Sequence, residues 1–240
     1  AHLLSLLLQQ FVCYNFEKAN EVALGLLNEA TPLDCGILAL VYHKNNNARL
    51  SNVCITKTGV VNPYFDFLAG VNYTYLLDSK SANLKFDKFL EANWEAFKLS
   101  TFYFKALLAK VEGKNERLEK LMTLSKGIEP IMPLDKNKFD LFDELMLKPN
   151  NLVKAHLYYD GGESSKVLAI LSRSSFEDKY CVEKDYLLAK THYLNGEDVL
   201  ATQAFERVLK GDVIGGYYQP YSCFFLAKKT LKRLPISFSC

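Results

Sequence analysis

Residues 184–209 read KDYLLAKTHYLNGEDVLATQAFERVL. One small residue, Ala189, sits in an apolar and aromatic run; Gly196 follows 7 residues later, Ala201 12 later and Phe205 16 later. Glycine readily takes the left-handed backbone that ends a helix, so this spacing predicts two short helices joined at Gly196. Ala201 and Phe205, four apart, share one face of the second helix. The small Ala189 on the first helix lets that face approach closely.

The same spacing recurs upstream. Ala155 is followed by Gly162 at +7, Val167 at +12 and Leu171 at +16, and Ala106 by Gly113, Leu118 and Met122. Gly70 has Ala82 at +12 and Phe86 at +16, and Ala39 has Asn46, Ser51 and Ile55 at the three positions. Prolines give a second signal. Pro32, Pro63 and Pro220 stand 7 residues before Ala39, Gly70 and Ala227, and Pro149 stands 6 before Ala155. Proline is favoured in the first turn of a helix, where its missing N–H costs nothing. The anchors Ala39, Gly70, Ala106, Ala155, Ala189 and Ala227 are separated by 31, 36, 49, 34 and 38 residues. Ala19 fits the +12 position of a further copy whose first helix lies in HLLSLLLQQF, residues 2–11. One hairpin cannot bury its apolar face alone, but a stack of hairpins can. The expectation is an all-α chain forming a single repeat domain over residues 1–240, with about six helix pairs and a C-terminal capping helix. The long interval before Ala155 implies an insertion near residues 123–148. There Phe139, Phe142, Leu145 and Met146 fall at helical spacing between Pro130, Pro133 and Pro149.

This pattern resembles the tetratricopeptide repeat, a helical hairpin of about 34 residues. Leu188, Ala189, Gly196, Ala201 and Phe205 match that family's positions, as do Gly70, Tyr73, Ala82 and Phe86. The aromatic at +3 recurs as Tyr42, Tyr73 and Tyr158 but is His192 in the clearest copy. Four residues before the anchor, where the family carries a bulky side chain, this chain has Asp66 and Asp185. DGGESSKVLAIL (160–171) and GGYYQPYSCFFLAKK (215–229) are also similar to stretches of bacterial tetratricopeptide proteins with no settled role. The resemblance implies a right-handed superhelical α-solenoid of stacked antiparallel helix pairs, with the first helices lining a concave groove.

Composition narrows the function. Of the 240 residues, 49% are hydrophobic and 23% charged, which suits a folded chain and is too apolar for a disordered one. The net charge of +2 carries no basic stripe, so nucleic acid is not an expected partner. Cys13, Cys35, Cys54, Cys181, Cys223 and Cys240 form no C-x-x-C pair, and they read as reduced, buried packing residues. His2, His43, His156 and His192 form no metal-binding motif, and no nucleophile elbow or phosphate-cradling loop is present. No catalytic residues, cofactor or metal are therefore expected. No apolar run reaches the ~18 residues of a membrane span. The apolar stretch LLSLLLQQFV is short and lacks the flanks of a signal peptide. The expected compartment is the cytoplasm by default, or the periplasm or envelope if an N-terminal signal has been removed.

What remains is surface. On the groove that the resemblance implies, the first helices would present Phe67, Thr74, Tyr75, Tyr103 and Lys110, then His156 and Tyr159. The later copies would add Tyr186, Lys190 and Tyr193, then Phe224 and Lys228. Tyrosine gives stiff contact area with a polar handle, and the lysines favour an acidic segment or a chain terminus. The same tyrosines could instead pack between repeats. The family's clamp for a C-terminal carboxylate uses Asn at a position that here reads Ile37, Leu68, Phe104, Val153, Leu187 and Phe225, so that mode is not expected. The expected function is a non-catalytic scaffold that binds a protein or peptide through the groove. The alternative is a constitutive structural subunit of a larger assembly, such as one at a bacterial envelope or in secretion.

Overall fold

The computed structural model describes residues 16–26, 28–131, 144, 147–211 and 218–233. Among them are twelve α-helices and no strand. The helices pack in adjacent pairs. The chain divides into two compact units, Ala1–Glu163 and Ser164–Cys240.

The first unit holds α1 (Phe16–Leu26), α2 (Pro32–Lys44), α3 (Ala48–Thr58), α4 (Pro63–Tyr75), α5 (Ser79–Glu91), α6 (Lys98–Val111), α7 (Asn115–Ser125) and α8 (Asn150–Asp160). The second holds α9 (Ser164–Arg173), α10 (Asp178–Leu194), α11 (Asp198–Lys210) and α12 (Tyr218–Arg233). Helices α2/α3, α4/α5, α6/α7 and α10/α11 form hairpins. In the first unit successive hairpins stack through α3 on α4 and through α6 on α4 and α5; in the second, α12 covers α10 and α11.

The turns show why the spacing repeats. Among the described residues, each one 7 after an anchor is left-handed: Asn46 (φ 54°), Leu77 (56°), Gly113 (71°), Gly162 (78°) and Gly196 (74°); the position 7 after Ala227 lies outside the described residues. In each turn the following N–H donates back to the carbonyl of the residue at +3: Asn47 to Tyr42, Asp78 to Tyr73, Lys114 to Ala109, Glu163 to Tyr158 and Glu197 to His192, at 2.8–2.9 Å. This six-residue closure satisfies carbonyls that a helix end otherwise leaves open. The prolines act at the opposite end. Pro32 and Pro63 begin α2 and α4, whose first turns are capped by Thr31 and Asn62. Pro149 immediately precedes α8, and Pro220 lies in the first turn of α12.

The small anchors are packing residues. Ala39, Ala106, Ala155 and Ala189 are fully buried, and so are their +12 partners or nearly so: Ser51, Leu118, Val167 and Ala201. Ala227, on the last helix, is exposed. Where a bulky side chain was expected, the aspartates reach across to the second helix of their own hairpin. Asp66 pairs with Lys85 at 2.9 Å and Lys88 at 3.2 Å, and Asp185 with Arg207 at 3.0 Å. Lys88 and Arg207 both stand 18 residues after the anchor, so ion pairs at equivalent places replace apolar contact in the two clearest hairpins.

Several expectations meet the structure differently. Cys35 and Cys54 are buried free thiols, but Cys181 on α10 is half-buried and Cys223 on α12 is exposed; Cys13 and Cys240 lie outside the described residues. The first helix expected in residues 2–11 lies outside the described residues, as does the helix expected around Phe139, Phe142, Leu145 and Met146. No described helix is long and apolar enough to cross a membrane.

The main departure is in the first unit. In a simple stack each hairpin meets only its neighbours. Here α8, which follows three complete hairpins, packs on α4 and α6, and its terminal turn reaches the turn of the first hairpin. A Cβ on Gly162 would lie 2.0 Å from the Asn46 carbonyl oxygen, and one on Gly161 would lie 3.0 Å from that of Tyr75. Arg49 and Glu163 close the same corner with an ion pair at 2.6 Å. The first unit therefore returns on itself across its own first helices.

Candidate functional site

The first helices α2, α4 and α6 leave a cavity of about 370 Å³ lined by Leu40, His43, Lys44, Tyr64, Phe67, Leu68, Val71, Tyr75, Phe97 and Phe104. A smaller one, about 160 Å³, lies on the α8 side and shares Tyr75 and Phe104. These two rings, edge to face with centroids 6.1 Å apart, stand between the two spaces.

The larger cavity is walled by rings whose positions follow from helix register. Phe67, Val71 and Tyr75 lie four apart on α4 and so on one face. Phe97 comes from the turn before α6. It sits at φ 65°, a left-handed backbone that is costly for a bulky side chain. That backbone brings its ring into stacking with Phe67 (4.8 Å, 19°) and within 5.6 Å of Tyr64. At the opposite end the His43 ring stacks on Tyr75 at 5.9 Å and 13°.

A chain of hydrogen bonds fixes His43. Ser51 Oγ donates to the Ala39 carbonyl at 2.8 Å. Asn72, fully buried, donates through Nδ2 to Ser51 Oγ (2.8 Å) and Asn52 Oδ1 (3.0 Å). Its Oδ1 is left as an acceptor 2.7 Å from His43 Nδ1. The proton therefore resides on Nδ1, and Nε2 carries a lone pair. Burial holds the His43 pKa below its ordinary value; the Asn72 hydrogen bond opposes this and Lys44 adds to it. Among the described residues, the lining of the larger cavity thus has a neutral imidazole and one cationic side chain, Lys44, and no carboxylate.

The smaller cavity has the opposite character. Its lining includes Tyr75, Tyr103, His156 and Lys148 together with two carboxylates, Glu144 and Asp160. Burial, with Glu144 and Asp160 adding, pushes Tyr103 up to about 12. Tyr75 is pushed further up by burial, then by Asp160 and Tyr103. Both phenols stay protonated donors at physiological pH.

The residues expected on a groove are thus distributed unevenly. Phe67 and Tyr75 line the larger cavity, and Tyr75, Tyr103 and His156 the smaller. Lys110 and Tyr159 are buried and line neither; burial lowers the Lys110 pKa. In the second unit Tyr186 packs between Phe205 (6.3 Å) and Tyr218 (4.9 Å), and Tyr193 packs on Phe225 (5.2 Å). Lys190 lies over the Tyr186 ring at 5.4 Å. The gap left beside Tyr193 is about 10 Å³, so α12 has taken up that face. The Lys228 side chain lies outside the described residues.

His43, Lys44, Tyr64 and Phe97 join the site without having been expected there. His43 stands four after its anchor, the register that selects Thr74, so the repeat could have named it. Phe97 has no such signal, because it sits in a turn between hairpins. Among the described residues no group of three or more His, Cys, Asp or Glu is placed to hold a metal ion.

Fold and cleft together define a helical-hairpin repeat protein with an aromatic cleft on its first helices. No protein-family model matches the chain, and neither the curated proteins nor the solved structures hold a match.

Proposed function

We propose that the chain is a divergent tetratricopeptide-type scaffold that binds a segment of another protein through the cleft of α2, α4 and α6 and catalyses no reaction itself. The five identical left-handed turns support the family reading, and with it the right-handed stacking of hairpins that the family implies. The single observation that carries the binding reading is the larger cavity, a concave, mostly aromatic space of about 370 Å³ with a few placed polar groups. Recognition sites have this composition and size.

The test is site-specific photo-crosslinking in the cells that make the protein. A photoreactive residue at Lys44, on the cleft, is expected to give one dominant protein adduct. The same group at Leu84, exposed on the second helix α5, is expected to give none. Equal adducts from both positions, or none from Lys44, would defeat the reading.

A second reading, a subunit held permanently in a larger assembly, is favoured by Leu194, Val199 and Leu200. These flank the α10–α11 turn and are 53%, 66% and 47% exposed. A fixed subunit would remain in one complex of constant stoichiometry through high-salt purification.

A further inference from the structure

We propose that the larger cavity receives one aromatic side chain of an internal peptide segment whose neighbouring residue is acidic, the ring entering the aromatic bowl and the carboxylate pairing with Lys44. This rests on the scaffold reading above and specifies its ligand.

Three observations carry it. First, the walls are largely aromatic rings held in fixed mutual geometry. Phe67, Phe97 and Tyr64 form one side and His43 stacked on Tyr75 the other, an arrangement that favours a flat aromatic guest over a branched aliphatic one. Second, charge is one-sided. Lys44 is exposed at the end of α2 and is the only charged side chain among the described residues that line the cavity, so an anion beside the guest is favoured and a cation is not. Third, the polar groups are fixed before any ligand arrives. The Ala39–Ser51–Asn72 chain holds His43 with its proton on Nδ1, leaving Nε2 as an acceptor for a peptide N–H. The strained backbone at Phe97 fits the same pattern: φ 65° is maintained in a bulky residue whose ring completes the bowl.

The test uses the full chain and unlabelled peptides, acetylated at the N-terminus and amidated at the C-terminus so that no terminal charge competes, with binding read by isothermal titration calorimetry. Gly-Glu-Phe-Glu-Gly is expected to bind about ten-fold more tightly than Gly-Glu-Ala-Glu-Gly, because one large apolar side chain is buried. It is expected to bind about three-fold more tightly than Gly-Lys-Phe-Lys-Gly, a gain lost at high salt. Lys44→Glu, an exposed change that spares the fold, should reverse the second preference and keep the first. Leu40→Trp should fill the cavity and abolish both while thermal unfolding stays cooperative. Equal binding of the Phe and Ala peptides, or an acidic preference that survives Lys44→Glu, would overturn the proposal. So would competition by free 3-phenylpropionate at the concentration of the peptide, which would assign the pocket to a small carboxylate. Failure here is separable from failure of the scaffold reading. A crosslinked partner at Lys44 with flat peptide preferences would refute only the ligand chemistry. Clear peptide preferences without a crosslinked partner would refute only the scaffold.

Discussion

The Phe86 ring packs so closely over Gly70 that a Cβ there would stand 2.5 Å from two of its carbons. Phe86 is fully buried among Phe67, Phe89 and Phe104, so it has little room to retreat. Gly70→Ala is therefore expected to destabilise the chain by about 1–3 kcal/mol, the usual cost of overpacking a core. Gly25, in helix α1 with nothing within 4 Å of its would-be Cβ, is the control. Gly25→Ala is expected to be neutral or to stabilise by up to about 1 kcal/mol through helix propensity. Urea unfolding of both variants checks the pair. Partial recovery in Gly70→Ala/Phe86→Leu would locate the clash.

Leu77 occupies the turn position that Gly113, Gly162 and Gly196 fill elsewhere, and it does so at φ 56°. A branched side chain in that region costs roughly 1–2 kcal/mol. Glycine would lift that strain but lose more chain entropy on folding. Leu77→Gly is expected to raise stability by about 0.5–1 kcal/mol, read as a shift in the urea midpoint at unchanged m-value. A loss of stability would mean that the partly buried Leu77 side chain, packed on the neighbouring core, outweighs the strain.

These two positions show what the sequence could carry. Hairpins were legible because their determinants are local: a small residue, a left-handed turn 7 later and apolar residues at 12 and 16. The Leu77 turn shows that stacking can impose the same geometry on a residue that does not favour it. The return of α8 depends on contacts far apart in the chain, and its only local trace is the doubled glycine at 161–162. One left-handed residue suffices for a turn; the second glycine is needed because the Tyr75 backbone approaches it. The aromatic residues were recognised as a surface, but sequence could not separate rings that line a cleft, such as Phe67, from rings such as Tyr186 that α12 covers.

The doubled glycine gives a direct test of that return. Gly162 and Gly196 occupy the same turn position at φ 78° and 74°. Gly196 has nothing within 4 Å of its would-be Cβ, whereas that of Gly162 meets the Asn46 carbonyl oxygen at 2.0 Å. Alanine at Gly196 should cost about 1 kcal/mol, the backbone term alone. Alanine at Gly162 should cost that plus the displacement of a packed backbone, about 2–4 kcal/mol in all. Hydrogen exchange should show added opening at the α2–α3 turn in Gly162→Ala and none in Gly196→Ala. Equal effects of the two changes would argue against the closure.

His43 makes the stability of the first unit depend on pH with a definite sign. Burial lowers its pKa in the folded chain from the ordinary 6.5. Below that value the unfolded chain therefore binds a proton that the folded chain resists, and stability falls as pH falls. Tyr64 and Tyr75, which share the cavity, are raised by burial and remain protonated across this range. His43→Gln keeps an N–H donor for Asn72 and removes the titration. The stability advantage of the wild type over His43→Gln should therefore shrink between pH 7 and pH 5, measured by urea unfolding at both. A constant difference would show that His43 titrates alike in the folded and unfolded chains, and that its hydrogen bond to Asn72 fully offsets its burial.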